Sequence, residues 1–139
     1  MAKRVTGVVQ LGAKRFRIPY SLVVQNVSTS LTATHVQVSD DLAATFPTAT
    51  SRAISAAPAV SGCTGTVLNP NPAFNGNGVN TLLAGNQNLQ PGEACTISFA
   101  VDVDFGANPL PTAVQNNQAR ATTHQTPGGT VIATDLSDD

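Results

Sequence analysis

Apolar residues recur at every second position in short runs along this chain, separated by clusters of Gly, Pro, Asn and Ser. That spacing predicts antiparallel strands, and no helical period competes with it. Over residues 16–24 the pattern puts Phe16, Ile18, Tyr20, Leu22 and Val24 on one face and Arg17, Pro19 and Ser21 on the other. Pro19 has no N–H for a ladder, which predicts a sheet edge or a bulge there. Residues 35–39 turn Val36 and Val38 inward, leave His35, Gln37 and Ser39 on a polar face, and break at Asp40-Asp41. The clearest alternation, over residues 95–103, gives Cys95, Ile97, Phe99, Val101 and Val103 one inward face. Pro91-Gly92 just before it fits a type II turn, whose third position needs the positive φ that Gly supplies. Residues 117–123 and 130–134 flank Thr126-Pro127-Gly128-Gly129 and read as a terminal hairpin.

Between residues 68 and 90, Asn69-Pro70-Asn71-Pro72 and Asn75-Gly76-Asn77-Gly78 break regular structure and predict an exposed, irregular excursion. Phe16, Tyr20 and Phe99 fall on core faces, and Phe46, Phe74 and Phe105 are placed to plug the ends. Short strands with frequent turns imply an all-β domain over residues 1–139, an immunoglobulin-like β-sandwich with Greek-key connections and about 7–9 strands.

Composition narrows the partners. Hydrophobic residues make up 41% of the 139 residues and charged residues only 11%, so solubility rests on Ser, Thr, Asn and Gln. Seven Lys+Arg against eight Asp+Glu leave a net charge of −1, which offers no pull on nucleic acid or an anionic membrane surface. No apolar run is long enough for membrane insertion, and the start, Met1-Ala2-Lys3-Arg4-Val5-Thr6, lacks the apolar core of a secretory signal. Cys63 and Cys95 lie too far apart for a CxxC metal or redox motif. They are either two thiols or a disulfide. A disulfide would place the chain outside the cytoplasm and stabilise it by roughly 3–4 kcal/mol.

The chemistry available is sparse. His35 and His124 are the two histidines, and neither sits in a recognisable nucleophile or zinc motif, so no catalysis is assigned and a non-enzymatic role is expected. Asp40, Asp41, Asp102, Asp104 and the terminal Asp135, Asp138 and Asp139 are hard oxygen ligands suited to calcium, with the tail the best placed. The competing reading is a set of solvated acids. Five of the seven basic residues, Lys3, Arg4, Lys14, Arg15 and Arg17, lie at the start, so the basic start of one copy could meet the acidic Asp138 and Asp139 of the next in a head-to-tail contact. Alternatively, the basic residues line a solvent-facing edge strand. A lysine–asparagine isopeptide cross-link would need a buried lysine beside an asparagine and an acid, and Lys14 with Asn116 or Asn117 is the pair considered.

Several stretches, taken in order, resemble the conserved-repeat family of bacterial surface proteins. They are Ala2-Lys3-Arg4-Val5, Tyr20-Ser21-Leu22-Val23-Val24-Gln25-Asn26, Val36-Gln37-Val38-Ser39-Asp40-Asp41-Leu42, Asn71-Pro72-Ala73-Phe74-Asn75-Gly76, Leu82-Leu83-Ala84-Gly85, Leu89-Gln90-Pro91-Gly92-Glu93, Asn117-Gln118-Ala119 and the closing Thr126-Pro127-Gly128-Gly129 and Asp135-Leu136-Ser137-Asp138-Asp139. The cysteine pair departs from that pattern. The resemblance implies tandem immunoglobulin-like sandwiches in secreted or surface-anchored proteins, with no catalytic residues and a spacer role whose partners are neighbouring copies or adjacent domains. Two other expectations stand beside it. One is an adhesin that recognises a host or matrix ligand through the 68–90 region, and the other a self-assembling extracellular filament subunit.

Overall fold

The computed structural model describes residues 1–85, 87–126 and 129–137, and among them it is all-β. The strands are β1 (Ala2–Val5), β2 (Val9–Gly12), β3 (Arg15–Gln25), β4 (Ala33–Asp40), β5 (Ser51–Ser61), β6 (Gln87–Leu89), β7 (Ala94–Asp104), β8 (Ala119–His124) and β9 (Val131–Leu136), with one helical turn, α1 (Leu42–Thr45), between β4 and β5. They form two antiparallel sheets. One has the order β1-β3-β7-β5 with β2 also on β3, and the other the order β6-β4-β8-β9. After β3 the chain alternates between the sheets until β8, so the sandwich is woven from crossovers rather than stacked hairpins.

The alternations set the core. Tyr20, Leu22 and Val24 of β3, Val36 and Val38 of β4, and Cys95, Ile97, Phe99, Val101 and Val103 of β7 are buried between the layers. β3 and β7 pair in unbroken register from Arg15 opposite Asp104 to Gln25 opposite Ala94, which makes them the spine of the first sheet. Pro19 causes neither an edge nor a bulge along that ladder. Its carbonyl accepts from the Thr6 amide, so its nitrogen faces the gap where β1 has ended and β2 has not begun, and no partner there is deprived of a donor.

β4 runs one residue further than expected, and Asp40 keeps the inward alternation of Val36 and Val38. The cysteines are joined as a Cys63–Cys95 disulfide. It links the end of β5 to the start of β7, neighbours in one sheet, just past the pair Ser61 and Thr96. Pro91-Gly92 forms the expected turn, with Gly92 at φ 77° and the Glu93 amide donating to the Gln90 carbonyl. Part of the terminal turn, Pro127 and Gly128, lies outside the described residues.

The 68–90 excursion is irregular as expected, but it is not an exposed flap. Leu68, Phe74, Leu82, Leu83 and Leu89 are buried, and Phe74 packs edge-on to Phe99 at 5.1 Å between ring centres. Its backbone is held locally: Asn71 Nδ2 donates to the Thr81 carbonyl and hydroxyl, and Asn75 Oδ1 accepts from the amides of Asn77 and Val79. A segment rich in breakers can still bury side chains if its polar residues satisfy its own backbone. Phe46 and Phe105 are buried as well, in line with their expected plugging role.

Strand direction follows from the pairings. β8 is antiparallel to both β4 and β9, so β4 and β9 run the same way. β1 shares that direction. The Met1 amino group meets Asp135, which lies opposite Ala121 and so level with Val38, and Lys3 reaches Asp40 two residues further along β4.

Candidate functional site

The most unusual group in the structure is a polar cluster sealed between the two sheets. In β1, Lys3 stands directly opposite Leu22, and cross-strand partners share a face, so the lysine is directed into the core. Its Nζ lies 2.6 Å from Asp40 Oδ2, with side-chain exposures of 2% and 0%. The same Nζ stands 4.5 Å from the centre of the Tyr20 ring, a cation–π distance. Asp40 reaches this place because it ends β4 opposite the buried Ala119.

Asn117 completes the cluster. It sits two residues before Ala119, on the same alternation as Ala119 and Ala121, and is buried. The Thr45 hydroxyl lies 2.8 Å from Asn117 Oδ1 and 3.0 Å from the Asp41 carbonyl oxygen. Asn117 also favours the charged form of Asp40, yet Asp40 Oδ1 and Asn117 Nδ2 close no well-aligned hydrogen bond. Lys3, Tyr20 and Asn117 line a common pocket of about 330 Å³ together with Arg4, Val5, Gln115 and Asn116.

Burial is the main influence on Asp40 and lifts its carboxyl above the ordinary carboxylate value. The Lys3 charge and hydrogen bond pull the other way without cancelling that rise. The cluster thus holds a primary amine, a carboxyl group that resists ionisation and a primary carboxamide, shielded from water.

The remaining predicted site residues are placed as follows. Lys3 is withdrawn from any head-to-tail contact by its burial, which corrects its assignment to an exposed basic start. Arg15 and Arg17 remain about half-exposed, but both bind Asp102 within the chain. Arg4 is exposed. Lys14 donates to the carbonyls of Ala107 and Asn108 near the end of β7, so it is not the lysine beside Asn117. Asp135 meets the Met1 amino group, while Asp138 and Asp139 lie outside the described residues. No group of three or more His, Cys, Asp or Glu placed to hold a metal occurs among the described residues.

His35 and His124 are part-buried. His35 has φ 47° and a buried Nδ1 without a hydrogen-bond partner, and His124 meets the Thr122 hydroxyl and the Gly129 carbonyl.

The signal for the cluster was present in the sequence. Extending the inward alternation by one step reaches Asp40 from Val38, and stepping back from Ala119 reaches Asn117. No family model matches the chain, and no curated protein does.

Proposed function

We propose that this chain is a non-enzymatic structural module, a rigid spacer in an extracellular bacterial surface protein or filament whose partners are neighbouring copies or adjacent domains. The observation that carries this reading is the shared direction of β1 and β9. First and last strands that point the same way are compatible with head-to-tail repetition; because Met1 meets Asp135 near the end of β9, a connecting segment would carry the chain from one copy to the next. Pull along such a row then acts along the strands. The Cys63–Cys95 disulfide is compatible with an extracellular setting and closes one sheet at the β5–β7 end. The ordered likeness to conserved-repeat domains supports the same role.

The adhesin alternative draws less support. The 68–90 region supplies Leu68, Phe74, Leu82 and Leu83 to the core, so its first duty is to the fold. Head-to-tail contact through the start of the chain would fall on exposed Arg4 rather than on Lys3.

The test is small-angle X-ray scattering on chains of one, two and three copies joined end to start. The spacer reading expects the maximum dimension to grow by one module length per copy with a rod-like cross-section. Folded-back dimers, or the distance distribution of freely jointed beads, would overturn it.

A further inference from the structure

The spacer reading makes no use of the Lys3–Asp40–Asn117 cluster, and the cluster is costly. Taking two opposite charges out of water carries a large desolvation penalty, and well-packed apolar side chains would fill the same space without it. Asp40 Oδ1 and Asn117 Nδ2 are both buried and meet only in a poorly aligned contact. An ion pair kept only for cohesion has no need of a buried carboxamide at its side. The same three groups are, however, the full set required to exchange one amide for another.

We propose that Lys3 and Asn117 join in an intramolecular isopeptide bond, with Asp40 moving the protons. The Lys3–Asp40 pair shares one proton, and burial opposes charge on both partners, which favours the neutral amine and carboxylic acid. The raised carboxyl of Asp40 agrees with this. Neutral Nζ carries the lone pair that attacks Asn117 Cγ. The Nζ–Cγ bond forms, and the carbonyl electrons move onto Oδ1. The Thr45 hydroxyl has one proton and two acceptors within reach, and it turns to Oδ1 as negative charge develops there.

Asp40 gives its proton to Nδ2 and takes one from Nζ, so its carboxyl ends as it began. As Oδ1 returns its electrons, the Cγ–Nδ2 bond breaks and ammonia leaves. A primary amine and a primary carboxamide become a secondary amide and ammonia, with no oxidant or reductant involved. The proton passes between two groups that already interact, the Asp40 carboxyl and the Asn117 carboxamide. The product also replaces a buried primary amine, which would otherwise be able to take up a charge, with a neutral amide.

This inference goes beyond the spacer reading and is tested apart from it, on the single chain. Intact-mass spectrometry of the purified protein, disulfide in place, should read one ammonia below the mass of its residues. Proteolysis should release a branched peptide that joins the Lys3 and Asn117 segments. Asn75-Gly76 and Asn77-Gly78 can lose the same ammonia by succinimide formation, so fragment mapping decides the site. Asn117→Ala and Lys3→Arg should each restore the full mass. Asp40→Asn should also stay at full mass, with circular dichroism confirming that it is folded. If Asp40→Asn does not fold, the wild-type mass and peptide map still decide the bond. Folded wild type that keeps its full mass after prolonged incubation, ammonia loss that maps away from Lys3 and Asn117, or a folded Asp40→Asn variant that cross-links at the wild-type rate would overturn the proposal.

Discussion

Asp102 gives the sharpest handle on how the spine of the sandwich is held. It lies on the outer face of β7, directly opposite Arg17 of β3, with a side chain only 6% exposed. Arg17 binds both carboxylate oxygens, Nε to Oδ1 at 2.7 Å and Nη2 to Oδ2 at 3.0 Å, and Arg15 Nη2 adds a contact to Oδ2 at 3.0 Å. The Arg17 hydrogen bonds are the largest influence on the carboxyl. Burial opposes them, Ser55 and Arg15 assist, and the group is held at about 2 against an ordinary value of 3.8.

At about 1.4 kcal/mol per pH unit, that depression sets a ceiling of about 2.5 kcal/mol. The arginines are 51% and 47% exposed, so solvent screening lowers the expected contribution to about 1 kcal/mol. Because the folded-state value is depressed, the unfolded chain takes up the proton first as the solution is acidified. The stabilisation is complete above the ordinary carboxylate value and fades between 3.8 and about 2. Asp102→Asn keeps the volume and removes the charge. Urea unfolding followed by circular dichroism should show the variant less stable by about 1 kcal/mol at neutral pH, and the two curves should converge below the folded-state value. Equal midpoints at neutral pH, or a gap that survives strong acid, would refute the reasoning.

Replacing both cysteines, Cys63→Ala with Cys95→Ala, should lower the unfolding free energy by about 3 kcal/mol through loss of loop closure, read as a fall in guanidinium midpoint; an unchanged midpoint would mean the cross-link does not constrain the unfolded chain. Gly76 and Gly78 both have positive φ, at 63° and 107°, but a Cβ on Gly76 would lie 2.4 Å from Leu42 Cδ1, whereas Gly78 faces open space. Gly76→Ala should therefore cost about 2–4 kcal/mol and Gly78→Ala about 1–2 kcal/mol. Equal losses in thermal unfolding would show that the tip of the excursion does not pack on α1 as described.

Legibility in the sequence followed the chemistry of each position. Period-two alternation in β3 and β7 was easy to read because both strands face the core with uninterrupted apolar residues. The disulfide could be posed as one of two states but not decided, since pairing depends on β5 and β7 being neighbours. The 68–90 segment was misjudged because Pro, Gly and Asn rule out long strands but do not rule out burial. Leu82 and Leu83 are fully packed in irregular backbone.

The cluster was hidden for a different reason. A hydropathy pattern treats Lys3, Asp40 and Asn117 as signals of solvent, so the alternation that reaches Asp40 and Asn117 was outweighed, and the inward direction of Lys3 shows in its cross-strand partner Leu22. Lys14 was the wrong lysine because sequence proximity to the basic run says nothing of facing. It lies in the turn between β2 and β3 and donates to the carbonyls of Ala107 and Asn108, at the opposite end of the spine from Cys95.

The disulfide and the proposed Lys3–Asn117 bond would together divide the molecule in a way that suits the proposed spacer role. The disulfide closes residues 63–95, and that loop lies inside the span from Lys3 to Asn117. With Lys3 bonded to Asn117, tension that enters along β1 passes through the new amide at Lys3 and bypasses β2 through β7, including the excursion and the long β3–β7 ladder. The segment left to extend is β8 and β9, and β8 is itself held by β4. At roughly 3.5 Å per residue, the length that force can release shrinks from that of the whole chain to that of a hairpin. A buried lysine is a poor device for cohesion alone. It is an apt one where the first strand must not peel from the sheet, and the Lys3–Asn117 bond would secure β1 at the position where its four-residue ladder to β3 is otherwise easiest to strip.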